Sequence, residues 1–182
     1  YYKVDNKPLI SIYDLRNFID TFGSVEKTAE MMNWLNEEAK NYGLEGVHFQ
    51  VIHHGARSLN LSGVDGAVVA EDVISKLPFE SITHYQYCHF TDVGRDYSVV
   101  MPEVEEEWKR IADKFDAVYY PHVSIGWDNN PRFSEFRPNI LTNNTPEVFE
   151  KALVDAKKFA EETGVNMVTI NSWNEWTEGS YL

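Results

Sequence analysis

The segment "INSWNEWTEGSYL", residues 170–182, carries two glutamates, Glu175 and Glu178, three positions apart and interleaved with Trp173 and Trp176. On a continuing strand, residues three apart point to opposite faces; on a helical turn their Cβ atoms approach to about 5–6 Å. A strand that ends at Asn171 and enters a turn or short helix would therefore bring both carboxylates together, near the ~5–5.5 Å separation that retaining glycosidases use. Two carboxylates that close do not both ionise freely, so one keeps its proton and serves as acid while the other serves as base. Glycosidic cleavage needs that division of labour. The plainer alternative is that the acids complement a helix dipole and the tryptophans are packing.

Trp173 and Trp176, with Trp127 at the end of an earlier run, offer flat apolar faces beside polar tips, a surface that suits pyranose rings. Asp128 and Asn174 stand next to them as polar candidates. Other apolar runs also end in polar or aromatic residues: Tyr13 and Asp14, His53 and His54, Tyr87 and His89. Candidate substrate-binding residues are thus Trp127, Asp128, Asn174, Trp176, Tyr13 and His53, with Glu175 and Glu178 as the catalytic pair.

These positions must be held by an alternation of strands and helices. Strand-like runs are "LISIY" (9–13), "GVHFQVI" (46–52), "DAVYYPHVSIGWD" (116–128) and "NMVTI" (166–170), with weaker ones at 66–70 and 82–87. Between them, a helix starts at Ser24 and stops at Gly43, with Val25, Ala29, Met32, Leu35 and Ala39 on one face. A second opens at Pro102 and carries Val104, Trp108, Ile111 and Phe115. A third is capped by Thr145 and Pro146, carries Phe149, Leu153, Ala156 and Ala160, and closes at Gly164. Strand–helix alternation favours a parallel sheet with crossover helices. No glycine-rich phosphate loop follows the first run, and polar residues gather where runs end, which favours a (β/α)8 barrel over a nucleotide-binding open sheet. At 182 residues the chain falls below the usual barrel length of about 200–250. The expectation is an α/β fold, an incomplete (β/α)8 TIM-type barrel whose N-terminal strands are missing, with residues 1–182 forming a single catalytic-type domain. Its open strand edges would invite self-association.

Composition narrows the function classes. With 16 basic against 29 acidic residues, a formal net charge of −13, the chain repels phosphate backbones, so no nucleic-acid partner is expected. No apolar run approaches the roughly 20 residues of a membrane span, and no signal segment is visible, which leaves bacterial cytoplasm and periplasm both open. Cys88 is the only cysteine, too few for a disulfide or a CxxC site. His84 and His89 flank it, but nothing supplies a third orienting group for a cysteine nucleophile. His53 and His54 are adjacent, would point apart on a strand, and lack a metal-binding pattern, so no metal and no cofactor are expected. The acidic run "PEVEEEWKR" reads as a solvated helix face.

"INSWNEWTEGSYL", together with "SIGWDNNPRF" (124–133) and the opening "YYKVDNKPLISIY", resembles the WbsX-like proteins. Members are often described as glycosyltransferases of surface-polysaccharide clusters and are similar to the endo-α-mannosidases of glycoside hydrolase family ninety-nine. The resemblance covers most of the chain and implies a (β/α)8 barrel. It also implies that Glu175 assists the sugar's own 2-hydroxyl in attacking the anomeric carbon, while Glu178 acts as acid and then base, with retention. An oligosaccharide or polysaccharide would be the substrate. Alternatives that stay open are a glycosyltransferase and a carbohydrate-binding protein without catalysis. The absence of a glycine-rich nucleotide loop and of a DxD-type motif weighs against sugar-nucleotide-dependent transfer.

Overall fold

The computed structural model describes residues 1–55 and 57–182. The fold is mixed α/β, and the chain forms two compact units, Tyr1–Ile82 and Thr83–Leu182.

In the first unit, strands β1 (Lys3–Val4) and β2 (Lys7–Ile12) form an antiparallel hairpin. Its turn residues Asp5 and Asn6 both take positive φ, 49° and 59°, which the short Asp and Asn side chains tolerate better than most. Helix α1 (Leu15–Phe22) begins where Asp14 accepts a hydrogen bond from the Asn17 N–H at 2.9 Å. Helix α2 (Val25–Lys40) starts at Ser24, whose Oγ accepts from the Lys27 N–H at 3.2 Å. The chain then returns as β3 (His48–Ile52), parallel to β2 with Leu9 opposite His48 and Ile12 opposite Val51. A crossover through two helices is what parallel neighbours require. Strands β4 (Ser58–Leu59) and β5 (Val68–Val69) make a small antiparallel pair, α3 (Ala70–Ile74) follows, and β6 (Ser81–Thr83) lies next to β3. Ile19, Met32, Phe49, Val51, Ile74 and Ile82 are buried.

In the second unit, α4 spans Tyr97–Lys114, β7 Val118–Tyr119 and β8 His122–Ser124. Helix α5 (Pro146–Thr163) leads to β9 (Thr169–Asn171), which pairs in parallel with β8 through His122–Thr169 and Ser124–Asn171. Strands β10 (Asn174–Glu175) and β11 (Ser180–Tyr181) form a closing antiparallel hairpin. Val100, Val104, Trp108 and Ile111 of α4 are buried with Ala152, Ala156 and Phe159 of α5, and the Trp108 and Phe159 rings sit 5.7 Å apart. Burial of each large apolar side chain contributes about 1.5–3 kcal/mol.

Several sequence expectations shift here. The parallel pairs β2–β3 and β8–β9 are present, but antiparallel hairpins accompany them at β1–β2 and β10–β11, so the sheet is not purely parallel. Pro102 lies inside α4 rather than at its start. The helix begins five residues earlier because Asp96 caps it, accepting from the Ser98 N–H at 2.8 Å, and because Tyr97, Val100 and Met101 gain burial there. The run 116–128 breaks into β7 and β8 around the buried Pro121, which has no N–H to give a ladder. Among the described residues, no helix is long and apolar enough to cross a membrane.

Candidate active site

Strand β9 ends at Asn171, and the chain turns at once into the β10–β11 hairpin, whose tip is a 3-10 turn over Trp176–Glu178. Glu175 opens that turn and Glu178 closes it. Ser172 secures the hairpin base: its Oγ donates to the Ser180 carbonyl at 2.9 Å and accepts from the Glu175 N–H at 3.0 Å. Gly179 follows with φ 60°, a conformation that favours glycine. Its lack of a side chain also lets the loop after β8 come close, since a Cβ there would meet Asp128 Cβ at 3.0 Å and Asp128 N at 3.1 Å. The Asp128 N–H donates to the Glu178 carbonyl at 2.7 Å.

A buried amide ties these loops together. The Gln86 Nε2 group faces three acceptors: Ser180 Oγ at 2.8 Å, Asn171 Oδ1 at 3.1 Å and the Gly126 carbonyl at 3.1 Å. Gln86 Oε1 accepts from the Tyr87 N–H at 3.0 Å. Ser180 Oγ in turn donates to the Gly126 carbonyl. The end of β9, the loop after β8 and the strand after Glu178 therefore share one fully buried side chain.

Arg132 joins the two carboxylates. Its Nη1 lies 2.8 Å from Glu178 Oε1, its Nη2 donates to Glu175 Oε1 at 3.2 Å, and its Nε donates to Thr177 Oγ1 at 3.0 Å. Thr177 Oγ1 donates onward to Glu175 Oε1 at 2.9 Å. The environments of the two acids differ. Glu178 is buried and its Oε2 meets no hydrogen-bond partner, while a third of the Glu175 side chain is exposed. Burial raises the Glu178 carboxyl above its ordinary pKa; the Arg132 charge pulls the other way and the Glu175 charge adds to the rise. Two neighbouring carboxyls in unlike surroundings, one buried and one better solvated, are the arrangement general acid–base chemistry uses.

The remaining sequence candidates fall into two groups. In the second unit, Trp127 is half-buried with its carbonyl accepting from the Leu141 N–H, and Asp128 Oδ1 accepts from the Asn130 backbone and side-chain amides at 2.9 and 2.6 Å. Asn174 is exposed on β10. Trp176 is 62% exposed, its ring 4.7 Å from that of Tyr181, and Trp173 is 78% exposed. In the first unit, Tyr13 and His53 follow the carboxyl ends of β2 and β3 and line a cavity of about 240 Å³ with Arg16, His54 and Ile74. His53 Nδ1 accepts from the Gly55 N–H at 3.1 Å, and His54 Nε2 donates to the Tyr13 carbonyl at 2.9 Å. Cys88 is no nucleophile at neutral pH, because burial, with the Glu178 charge nearby, pushes its thiol up to about 12.

Sequence reasoning missed Arg132, Thr177 and Gln86. Arg132 had a physical signal: two carboxylates in one tight turn call for a cation, and "SIGWDNNPRF" contains one. Gln86 had none, because a buried amide network leaves no spacing pattern.

Comparison with known proteins places the chain among sugar-related sequences and folds. Residues 1–182 match the family described as Glycosyltransferase WbsX. The protein WxcX of Xanthomonas campestris pv. campestris is 27% identical over 192 residues, covering 100% of this chain and 25% of the relative. Among solved structures, the GH99 endo-alpha-mannosidase from Bacteroides thetaiotaomicron in complex with BIS-TRIS-propane matches with TM-score 0.54 and 17% identity, covering 100% of this chain and 48% of that one. A glycoside hydrolase-like protein matches with TM-score 0.60 and 14% identity, again over 100% and 48%. These structural likenesses show a glycoside hydrolase-like fold. The chain spans about a quarter of the length of the curated relatives it matches and about half that of the solved structures.

Proposed function

We propose that this chain, which belongs to the WbsX glycosyltransferase family, carries the acid–base pair of a carbohydrate-active enzyme that cleaves glycosidic bonds with retention, in the manner of an endo-α-mannosidase. In this reading its parallel strands belong to an incomplete (β/α)8 barrel and residues 1–182 act within one catalytic-type domain. The observation that carries the proposal is the asymmetry of the pair: a buried Glu178 with one unpartnered oxygen and a raised pKa, three residues from a better-solvated Glu175.

In this reading Glu178, its Oε1 anchored on Arg132, gives its proton to the leaving glycosidic oxygen. As the C1–O bond breaks, the sugar's 2-oxygen closes on C1 and Glu175 takes the 2-hydroxyl proton. Water then attacks C1 and the C1–O2 bond breaks, Glu178 takes the water's proton, and Glu175 returns its own to O2. Two displacements at C1 give net retention. Trp127, Trp176, Asp128 and Asn174 flank the reacting sugar, and Tyr13 and His53 of the first unit are taken as sugar-binding residues in their own cavity.

The family's description favours a second reading, transfer, in which an acceptor sugar's hydroxyl replaces water in the second displacement. Proton NMR of the first-formed product from α-mannan oligosaccharides tests the proposal: a retained α-anomer is expected, and an inverted product would overturn it. Calorimetric binding of a sugar nucleotide would move the assignment to nucleotide-dependent transfer.

A further inference from the structure

We propose that Arg132 is the positioning residue that governs the protonation of the glutamate pair, by holding both carboxylates on one guanidinium fork. This inference rests on the reading of Glu175 and Glu178 as an acid–base pair. The hydrogen-bond inventory around the two acids is unequal. Glu175 Oε1 receives two donors, Arg132 Nη2 at 3.2 Å and the Thr177 hydroxyl at 2.9 Å. Glu178 receives one, Arg132 Nη1 at 2.8 Å on Oε1, while its Oε2 lies buried with no donor. A single proton shared by the pair therefore settles on Glu178 Oε2, where it removes the cost of a bare buried carboxylate oxygen.

The guanidinium also orients the turn. Its Nε holds Thr177 Oγ1 at 3.0 Å, so residues 175, 177 and 178 are all fixed by one planar group. A lysine ammonium could supply the charge but not this three-way fork. The titratable groups facing Glu178 are Arg132, Glu175 and the Cys88 thiol, and the thiol stays neutral throughout the working range because its pKa lies at about 12. Arg132 is thus a positive charge that faces both acids, and it opposes the rise that burial imposes on Glu178.

The test is the pH dependence of kcat/KM for the protein and its R132Q and R132K variants, alongside carboxyl ¹³C NMR titration of glutamate-labelled protein, with Glu178 assigned by its loss in E178Q. With the charge removed, R132Q should move both limbs of the pair's profile upward by about one pH unit or more. R132K should return them part of the way. A fall in kcat with both limbs unmoved would overturn the inference and leave Arg132 a scaffold residue. If no glycoside is turned over by the wild type, the functional reading fails, yet the NMR titration still decides whether Arg132 governs the Glu178 proton. If R132Q does not fold, R132K decides: an NMR titration unchanged in both carboxyls would contradict the fork.

Discussion

Replacing Gln86 with methionine keeps the side chain's length and flexibility while deleting its amide, so the loss can be worked from the bonds that surround it. An NH₂ group has two protons, and Gln86 Nε2 shares them among Asn171 Oδ1, Ser180 Oγ and the Gly126 carbonyl. After the change, Gly126 still has the Ser180 hydroxyl and Tyr87 N–H still has Ser124 Oγ at 3.2 Å. Asn171 Oδ1 is the acceptor left in a buried setting without its donor, and Asn171 Nδ2 is already buried without a partner. One stranded acceptor costs about 1–3 kcal/mol, and the lost bonds to groups with a second partner add about 1 kcal/mol more, so Gln86→Met should destabilise by about 2–4 kcal/mol. Urea unfolding should show a lower midpoint with an unchanged slope. Activity should fall in native conditions too, because the Gly126–Asp128 loop and the strand after Glu178 lose their shared tie. A stability change below about 0.5 kcal/mol, the range of an ordinary surface substitution, would refute this account of the site's support.

Gly179→Ala should cost about 1–3 kcal/mol and lower kcat, since it forces alanine to φ 60° with its Cβ against Asp128; calorimetric unfolding with wild-type kcat would contradict this. Glu178 has a raised folded pKa, so the folded state binds more protons than the unfolded one between the ordinary carboxylate value and that raised value, and stability falls as pH climbs through that window. Glu178→Gln removes the effect, so its stability relative to wild type should improve over the same rise in pH and then level off; a difference that stays flat with pH would show Glu178 to be unperturbed. Tyr13→Ala should weaken oligosaccharide binding by about 0.5–1.5 kcal/mol, the worth of one aromatic platform, and unchanged affinity in calorimetry would show that the first unit's cavity takes no sugar.

Local features of the chain were the most legible in its sequence. Ser24, and Thr145 with Pro146 and Gly164, mark helix ends because caps act on their own backbone, and all stand where the spacing places them. Prolines were harder to read. Pro102 fits a first helical turn on sequence grounds, but Asp96 and the burial of Tyr97 start the helix earlier, and Pro121 divides a run that its apolar residues alone make continuous. The turn expected after a strand ending at Asn171 is the one observed, over Trp176–Glu178. What holds those acids was not legible: Arg132 is 43 residues from Glu175, Gln86 is 85 from Asn171, and such pairings depend on tertiary approach rather than on any period.

Turnover of two classes of substrate by Glu178→Gln and Glu175→Gln tests the central claim most directly. If Glu178 protonates the leaving group, Glu178→Gln should slow glycosides with poor leaving groups by about 10²–10⁴-fold while largely sparing activated aryl glycosides, which need little protonation to depart. Glu175→Gln should slow both classes alike. Equal losses for both variants on both substrates would contradict the acid and base assignments and reduce the two glutamates to a structural pair.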